Sequence, residues 1–147
     1  MTLQNRVTPF GEIVAVPARG TLMGNRGCLH DDERRIVKSS ARVAWVTCRL
    51  AWEDIRRKIM APGKYTELFF LDEATALAAG HRPCALCRHD DYRALVDLWA
   101  GLHPGEAGVD AIDARLHTER IHVRTGERRL HRADVSDLPD GAFVLQD

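Results

Sequence analysis

Residues 66–88, TELFFLDEATALAAGHRPCALCR, place an apolar segment, a helical segment and a cysteine pair in direct succession. Residues 65–71 are apolar enough at Leu68, Phe69 and Phe70 to predict a strand. Asp72 is a suitable N-cap for a following Ala-rich helix, and Gly80 is a suitable C-terminal stop. Cys84 and Cys87 then follow on a turn that Pro83 stiffens. The order of these elements predicts strand, helix and a cysteine knuckle.

A Cys-x-x-Cys pair on a tight turn supplies half of the ligands of a tetrahedral zinc site. The chain has only two other cysteines, Cys28 and Cys48, which is the number needed to complete such a site. We therefore expect one structural Zn²⁺ bound by Cys28, Cys48, Cys84 and Cys87. Nearby arginines, among them Arg49 and Arg88, would offset the charge of four thiolates.

Three alternatives to this ligand set stay open. His30 lies two residues from Cys28 and could replace a cysteine as the fourth ligand. Cys28 or Cys48 could instead be an ordinary buried thiol. Cys84 and Cys87 could form a redox pair at a helix start, although a helix and a glycine turn precede the pair where thioredoxin-like proteins have a strand.

The string FFLDEATALAAGHRPCALCR resembles the zinc-binding module of Ada-type DNA-alkylation repair proteins. The resemblance covers residues 66–88 and implies a Cys₄ zinc site in which one zinc-bound thiolate accepts a methyl group from a DNA phosphotriester. It carries over to Cys84 and Cys87; the module's two earlier cysteines lie four residues apart, whereas Cys28 and Cys48 are twenty apart. The whole chain, with GNRGCLHD near its start, also resembles a group of small uncharacterised bacterial proteins.

The composition is that of one soluble globular domain. The chain has 147 residues, of which 45% are hydrophobic and 29% are charged, so one core of modest size is expected. We expect a single zinc-binding domain over 1–147, with the zinc-module core at about 24–102 and an extension at about 109–147. No apolar run approaches the roughly 20 residues of a membrane helix, and the first residues do not resemble a signal peptide. These features favour the cytoplasm and no membrane partner.

Basic residues are concentrated although the 21 basic and 21 acidic side chains cancel. Residues 34–58 hold eight basic against two acidic side chains, which is compatible with contact to nucleic-acid phosphates or with a merely solvated surface. The candidate phosphate contacts are Arg34, Arg35, Arg42, Arg56, Arg57 and Lys58.

The remaining patterns predict an α+β fold: a small antiparallel sheet with two or three helices around the zinc site. Helices are predicted at 90–102 and 110–120 from apolar periodicity, and a turn at 24–27 from its glycines. Strands are predicted at 12–16, 34–37, 42–50, 52–60 and 142–145, the last closing the sheet or awaiting a partner strand in a longer chain.

The leading functional prediction is a zinc-stabilised nucleic-acid-binding module related to DNA repair or regulation. A zinc-thiolate alkyl acceptor or redox-active cysteine protein is the second prediction. A zinc-stapled protein-interaction domain is the third. Whether the chain is an enzyme and what its oligomeric state is do not follow from the sequence.

Overall fold

Six short strands form one mixed sheet in the computed structural model, which describes residues 1–146. The strands are β1 (Arg6–Val7), β2 (Ile13–Val14), β3 (Leu22–Asn25), β4 (Val46–Arg49), β5 (Leu68–Phe70) and β6 (Arg82–Pro83). Their order across the sheet is β2-β1-β5-β3-β4-β6. The pairs β1–β5 and β4–β6 are parallel, and the other pairs are antiparallel. The predicted α+β class is confirmed, whereas the expectation of a purely antiparallel sheet is wrong.

Three α-helices form where the sequence predicts them, one before β6 and two after it. They are α1 (Glu73–Ala78), α2 (His89–Leu102) and α3 (Val109–Arg120). At the start of α1 the Asp72 carboxylate accepts a hydrogen bond from the Thr75 N–H at 2.7 Å, as expected of an N-cap. After its end Gly80 takes a φ of +95°, which favours glycine. Both predicted ends of α1 are confirmed.

Several strand predictions are wrong. Among residues 1–146 no strand forms over 34–37, 52–60 or 142–145, and the 42–50 prediction shortens to β4. Arg34, Glu53 and Met60 have positive φ angles, so the first two segments turn where an extended chain was expected. Residues 142–145 are exposed and pair with no strand among the described residues, because local β preference without a neighbour does not make a strand.

The last two residues of the central strand β3, Gly24 and Asn25, fall within the turn that the sequence predicts at 24–27. A Cβ at Gly24 would lie 2.2 Å from the Val46 carbonyl oxygen, so only glycine lets β3 approach β4 this closely. The bend comes later, at Gly27, whose φ is +94°. The two glycines therefore differ in role: Gly24 permits close contact between β3 and β4, and Gly27 permits the turn.

Apolar side chains of β5 and of the α1 segment form the middle of the core. The fully buried members are Leu29, Leu68, Phe70 and two alanines of the α1 segment, Ala76 and Ala79. Burial of these side chains holds α1 against β5. The chain that leaves α1 must then re-enter the sheet as β6, which places the following cysteine pair beside β4.

Candidate metal centre

Three cysteine sulfurs converge where β4 meets the loop that follows β6. The Sγ atoms of Cys48, Cys84 and Cys87 all lie within 4.8 Å of one another. In a tetrahedral thiolate site with Zn–S bonds of about 2.3 Å, the sulfurs lie about 3.8 Å apart. Small side-chain movements would therefore bring all three sulfurs to a single metal ion.

Sheet register brings the distant cysteines together. Val46 and Thr47 of β4 pair in parallel with Arg82 and Pro83 of β6. The ladder continues into the knuckle, where the Cys84 N–H donates to the Thr47 carbonyl at 2.8 Å. Cys84 is thereby placed next to Cys48, which follows Thr47 on the neighbouring strand.

The knuckle itself forms from local contacts. The Arg88 N–H donates to the Cys84 carbonyl at 3.1 Å, which closes the turn that leads into α2. The Arg49 N–H donates to the Cys87 sulfur at 3.4 Å, so a backbone donor from β4 also faces the cluster. Backbone N–H groups aimed at sulfur stabilise the thiolate form that binds metals.

The pKa values of Cys48 and Cys84 are shifted in opposite directions. Hydrogen bonding from Cys48 lowers the pKa of Cys84 to about 4, and the backbone N–H groups of Cys87 and Leu86 act in the same direction. The pKa of Cys48 is raised, because it donates that hydrogen bond and because it is partly buried. These contacts favour the thiolate form of Cys84, and the thiolate is the species that coordinates a metal.

Arg88 ties the elements around the cluster together. Its guanidinium is buried and donates to the Thr47 hydroxyl at 2.5 Å, to Glu73 at 2.7 Å and to Asp91 at 3.0 Å. These partners come from β4, α1 and α2, so one side chain fixes the positions of all three elements. Sequence reasoning identified Arg88 as a neighbour of the cysteines but missed its partners.

Arg82 provides a second anchor at the knuckle. Its guanidinium forms a two-pronged ion pair with Asp113 of α3, with N–O distances of 2.6 and 2.9 Å. Both side chains are only 8% exposed. No signal in the local sequence links residue 82 to residue 113, so this contact could not be predicted.

Cys28 and His30, the remaining candidate ligands, lie outside the three-cysteine cluster. Cys48 pairs with Met23 of β3, and from Met23 the chain runs towards Asn25 and away from Cys48. The Cys28 sulfur lies 3.7 Å from the His30 carbonyl oxygen instead.

Both ring nitrogens of His30 already have partners. Its Nδ1 lies 2.5 Å from the Thr66 hydroxyl oxygen and its Nε2 lies 3.1 Å from the Ala61 carbonyl oxygen. His30 therefore serves to connect the segment after β3 with the chain before β5.

The six basic residues proposed for phosphate contact differ in their surroundings. Arg35 forms ion pairs with Asp31 and Glu33, and Arg57 donates to the Tyr65 hydroxyl. The other four are exposed and have no side-chain hydrogen bond within residues 1–146; they are Arg34, Arg42, Arg56 and Lys58.

The structure removes one expected difference from thioredoxin-like redox proteins. Strand β6 lies between Gly80 and Cys84, so a strand does precede the cysteine pair. The third sulfur, from Cys48, is the feature that favours a metal centre over a two-cysteine redox site.

Comparisons with protein-family models, with curated proteins and with solved structures find no match for this chain. Within residues 1–146 no helix has the length and apolar character needed to cross a membrane. Function is therefore inferred from the cysteine cluster and its surroundings.

Proposed function

We propose that this protein binds one Zn²⁺ through Cys48, Cys84 and Cys87. The observation that carries the proposal is the approach of three sulfurs from two distant parts of the chain to within 4.8 Å. Three thiolates are a donor set that selects soft or borderline ions, and Zn²⁺ is the usual occupant of such sites in proteins. The proposal places the protein in the cytoplasm, where thiols stay reduced.

The zinc ion would join β4 to the β6–α2 segment. Strand β6 has only two residues and lies at the edge of the sheet, so its own ladder holds it weakly. A metal that links Cys48 with Cys84 and Cys87 would close the intervening chain and fix the start of α2. We assign the fourth coordination position to solvent, because Cys48 and Cys84 are only partly buried.

Metal analysis of serine variants tests this assignment, and Cys28→Ser is the matched control. We expect about one zinc per chain in the wild type and in Cys28→Ser, and loss of stoichiometric zinc in Cys48→Ser and Cys84→Ser. Chelation should lower the Tm of the wild type and leave that of Cys48→Ser unchanged.

Two results would contradict the three-cysteine site. Loss of zinc from Cys28→Ser would restore the four-cysteine site expected from the sequence. A zinc-free wild-type protein with a Cys84–Cys87 disulfide, detected by intact mass, would favour the redox alternative.

The zinc-stabilised domain would contact nucleic-acid phosphates through four of the six candidate basic side chains. Arg34, Arg42, Arg56 and Lys58 are free of carboxylate partners within the described chain, which supports this part of the proposal. The resemblance to Ada-type modules favours DNA as the ligand, in repair or in regulation.

The salt dependence of DNA binding tests this role. Four phosphate contacts predict that affinity for duplex DNA falls by about 100-fold between 50 and 200 mM salt. The double variant Arg56→Ala/Lys58→Ala should reduce that slope by about half, whereas Arg93→Ala, on the exposed face of α2, should not. Binding that does not change with salt, or no binding at 50 mM salt, would refute the nucleic-acid role.

A further inference from the structure

Two buried guanidinium groups lie directly over the ring of one tryptophan. The Arg26 Cζ lies 3.9 Å and the Arg120 Cζ lies 3.8 Å from the centre of the Trp45 ring. Arg26 is 1% exposed and Arg120 is 4% exposed. A third guanidinium, that of Arg128, is near Arg26, because a Cβ at Gly11 would lie 3.2 Å from Arg128 Nη1 and 3.6 Å from Arg26 Nη2. Three like charges are thus concentrated beside Trp45.

The partners of Arg26 are all neutral. Its Nε donates to the Nε2 of His81 at 3.0 Å, and its Nη groups donate to the carbonyls of Ser39 at 3.2 Å and Gly11 at 3.1 Å. His81 in turn keeps its proton on Nδ1, which faces the Val46 carbonyl at 3.1 Å. Burial and the nearby arginines hold the pKa of His81 well below its usual value, so this ring adds no charge of its own.

Arg128 and Arg120 likewise contact carbonyls. Arg128 donates to the carbonyls of Ala78 at 2.6 Å and Ala79 at 2.7 Å, and Arg120 donates to the carbonyl of Gly80 at 2.9 Å. The Nε–H groups of both arginines are buried and have no hydrogen-bond partner within residues 1–146. None of the three arginines forms an ion pair with a carboxylate of the described chain.

Buried charge without a counter-ion is unfavourable unless something compensates it. Burial, with the neighbouring charges, lowers the pKa of Arg26 to about 9. Burial also lowers the pKa of Arg120 to about 9, although the negative charge of Asp113 acts in the opposite direction. Carbonyl dipoles and the Trp45 ring offset part of the cost. Within the described chain Arg26 and Arg128 have no such carboxylate nearby, and an anion is the partner that these two charges lack.

A cavity of about 400 Å³ adjoins these charges. Its volume is in the range of small-molecule sites. Its wall combines cationic and hydroxyl groups with aromatic rings; the residues that matter are Arg26, Arg128, Lys38, Ser39, Phe10 and Trp45. The exposed Glu12 also lines the cavity but forms no ion pair with these cations.

We propose that this cavity binds a small organic anion, in which a phosphate or carboxylate group is attached to an apolar group. Arg26, Arg128 and Lys38, which all line the cavity, would supply the positive charge. Guanidinium groups can donate paired hydrogen bonds to the oxygens of a planar carboxylate or a tetrahedral phosphate. Phe10 and Trp45 would contact the apolar part of the ligand. The site is separate from the three cysteines and does not depend on the zinc assignment.

Thermal unfolding of the full chain with defined probes tests the proposal. Phenyl phosphate and benzoate are the anionic probes, and benzyl alcohol is the neutral one. At ten times its Kd a bound anion should raise Tm by about 4 °C, whereas benzyl alcohol should have little effect. Binding of phenyl phosphate alone would identify phosphate as the preferred group, and binding of benzoate alone would identify carboxylate; either result supports the site.

Lysine variants provide the matched comparison. Lys38→Ala should weaken anion binding about fivefold, the size of one partly screened charge contact, while Lys64→Ala, outside the cavity, should not change it. Arg128→Met should weaken binding more strongly than Arg93→Met. If Arg128→Met does not fold, the anion affinities of Lys38→Ala and Lys64→Ala, measured by calorimetry, provide the test.

The proposal is overturned by any of three results. One is the absence of a Tm shift with either anion at about 10 mM, which would place any Kd above the millimolar range. Another is equal anion affinity in Lys38→Ala and Lys64→Ala. The third is stabilisation by benzyl alcohol as large as that by the anions, which would make the cavity a purely apolar site.

Discussion

Replacement of Asp113 by alanine should destabilise the protein far more than replacement of Glu119, although both carboxylates belong to α3. Each accepts a hydrogen bond from an arginine Nε at 2.6 Å, Asp113 from Arg82 and Glu119 from Arg115. The two ion pairs therefore have the same bond length. They differ in burial, since the Arg82–Asp113 side chains are both 8% exposed and the Arg115–Glu119 side chains are 41% and 53% exposed.

The difference in burial sets the loss of stability expected for each variant. Removal of Asp113 leaves the Arg82 guanidinium buried without a counter-charge, which costs about 3–5 kcal/mol. Removal of Glu119 leaves Arg115 in contact with water and still paired with Glu106 at 2.8 Å, and such surface pairs contribute at most about 1 kcal/mol. An unfolding entropy of about 2.1 cal/mol/K per residue makes 1 kcal/mol worth about 3 °C in Tm for a chain of this length. We therefore expect a Tm loss of about 10–15 °C for Asp113→Ala and about 3 °C or less for Glu119→Ala.

Urea and thermal unfolding followed by circular dichroism would measure both losses. Zinc content must be measured in each variant, because Arg82 lies two residues before Cys84 and a loosened knuckle could release metal. Asp113→Asn, which keeps an acceptor but loses the charge, should fall between Asp113→Ala and the wild type. Equal losses in Asp113→Ala and Glu119→Ala, at equal zinc content, would refute the reasoning that burial determines the strength of these pairs.

Further predictions concern the helix cap and two glycines, and the same unfolding assay checks them. Hydrogen bonds from Thr75 lower the pKa of Asp72 in the folded protein. The stability that the Asp72 carboxylate contributes is therefore fully present above its unfolded pKa of about 3.9, and it is lost as the pH falls through its lower pKa in the folded protein. The Tm difference between wild type and Asp72→Ala should therefore shrink from pH 5 to pH 2; a constant difference would contradict the capping role. Gly101→Ala should raise Tm by about 2 °C, because this position in α2 has open space and alanine favours helix. Gly24→Ala should prevent folding or cost more than about 3 kcal/mol, because its Cβ would meet the Val46 carbonyl oxygen at 2.2 Å; a cost near zero would contradict this.

The helices and the cysteine knuckle were predictable because their signals are local. Asp72 and Gly80 delimit α1 through contacts within a few residues, and the apolar repeat along α2 is visible without any knowledge of the fold. The Cys84–Cys87 spacing places two sulfurs on one turn whatever surrounds it.

The strands were predicted less well because pairing decides them. Residues 52–60 and 142–145 have β-forming side chains but gain no neighbouring strand within the described chain. Strand β3 has a sequence that indicates a turn, yet it forms the centre of the sheet because β4 and β5 pair with it on both sides. Parallel pairing of β4 with β6 joins residues far apart in the chain, and no local pattern encodes that register.

The sequence by itself determined the three helices, their ends and the Cys-x-x-Cys turn, since each rests on interactions between residues a few positions apart. Only the tertiary structure decided that Cys48 joins Cys84 and Cys87 while Cys28 lies elsewhere, because that choice depends on the register of β3, β4 and β6. It also decided which arginines are buried: the charge concentrated around Trp45 comes from segments far apart in the chain, and only packing brings such charges together.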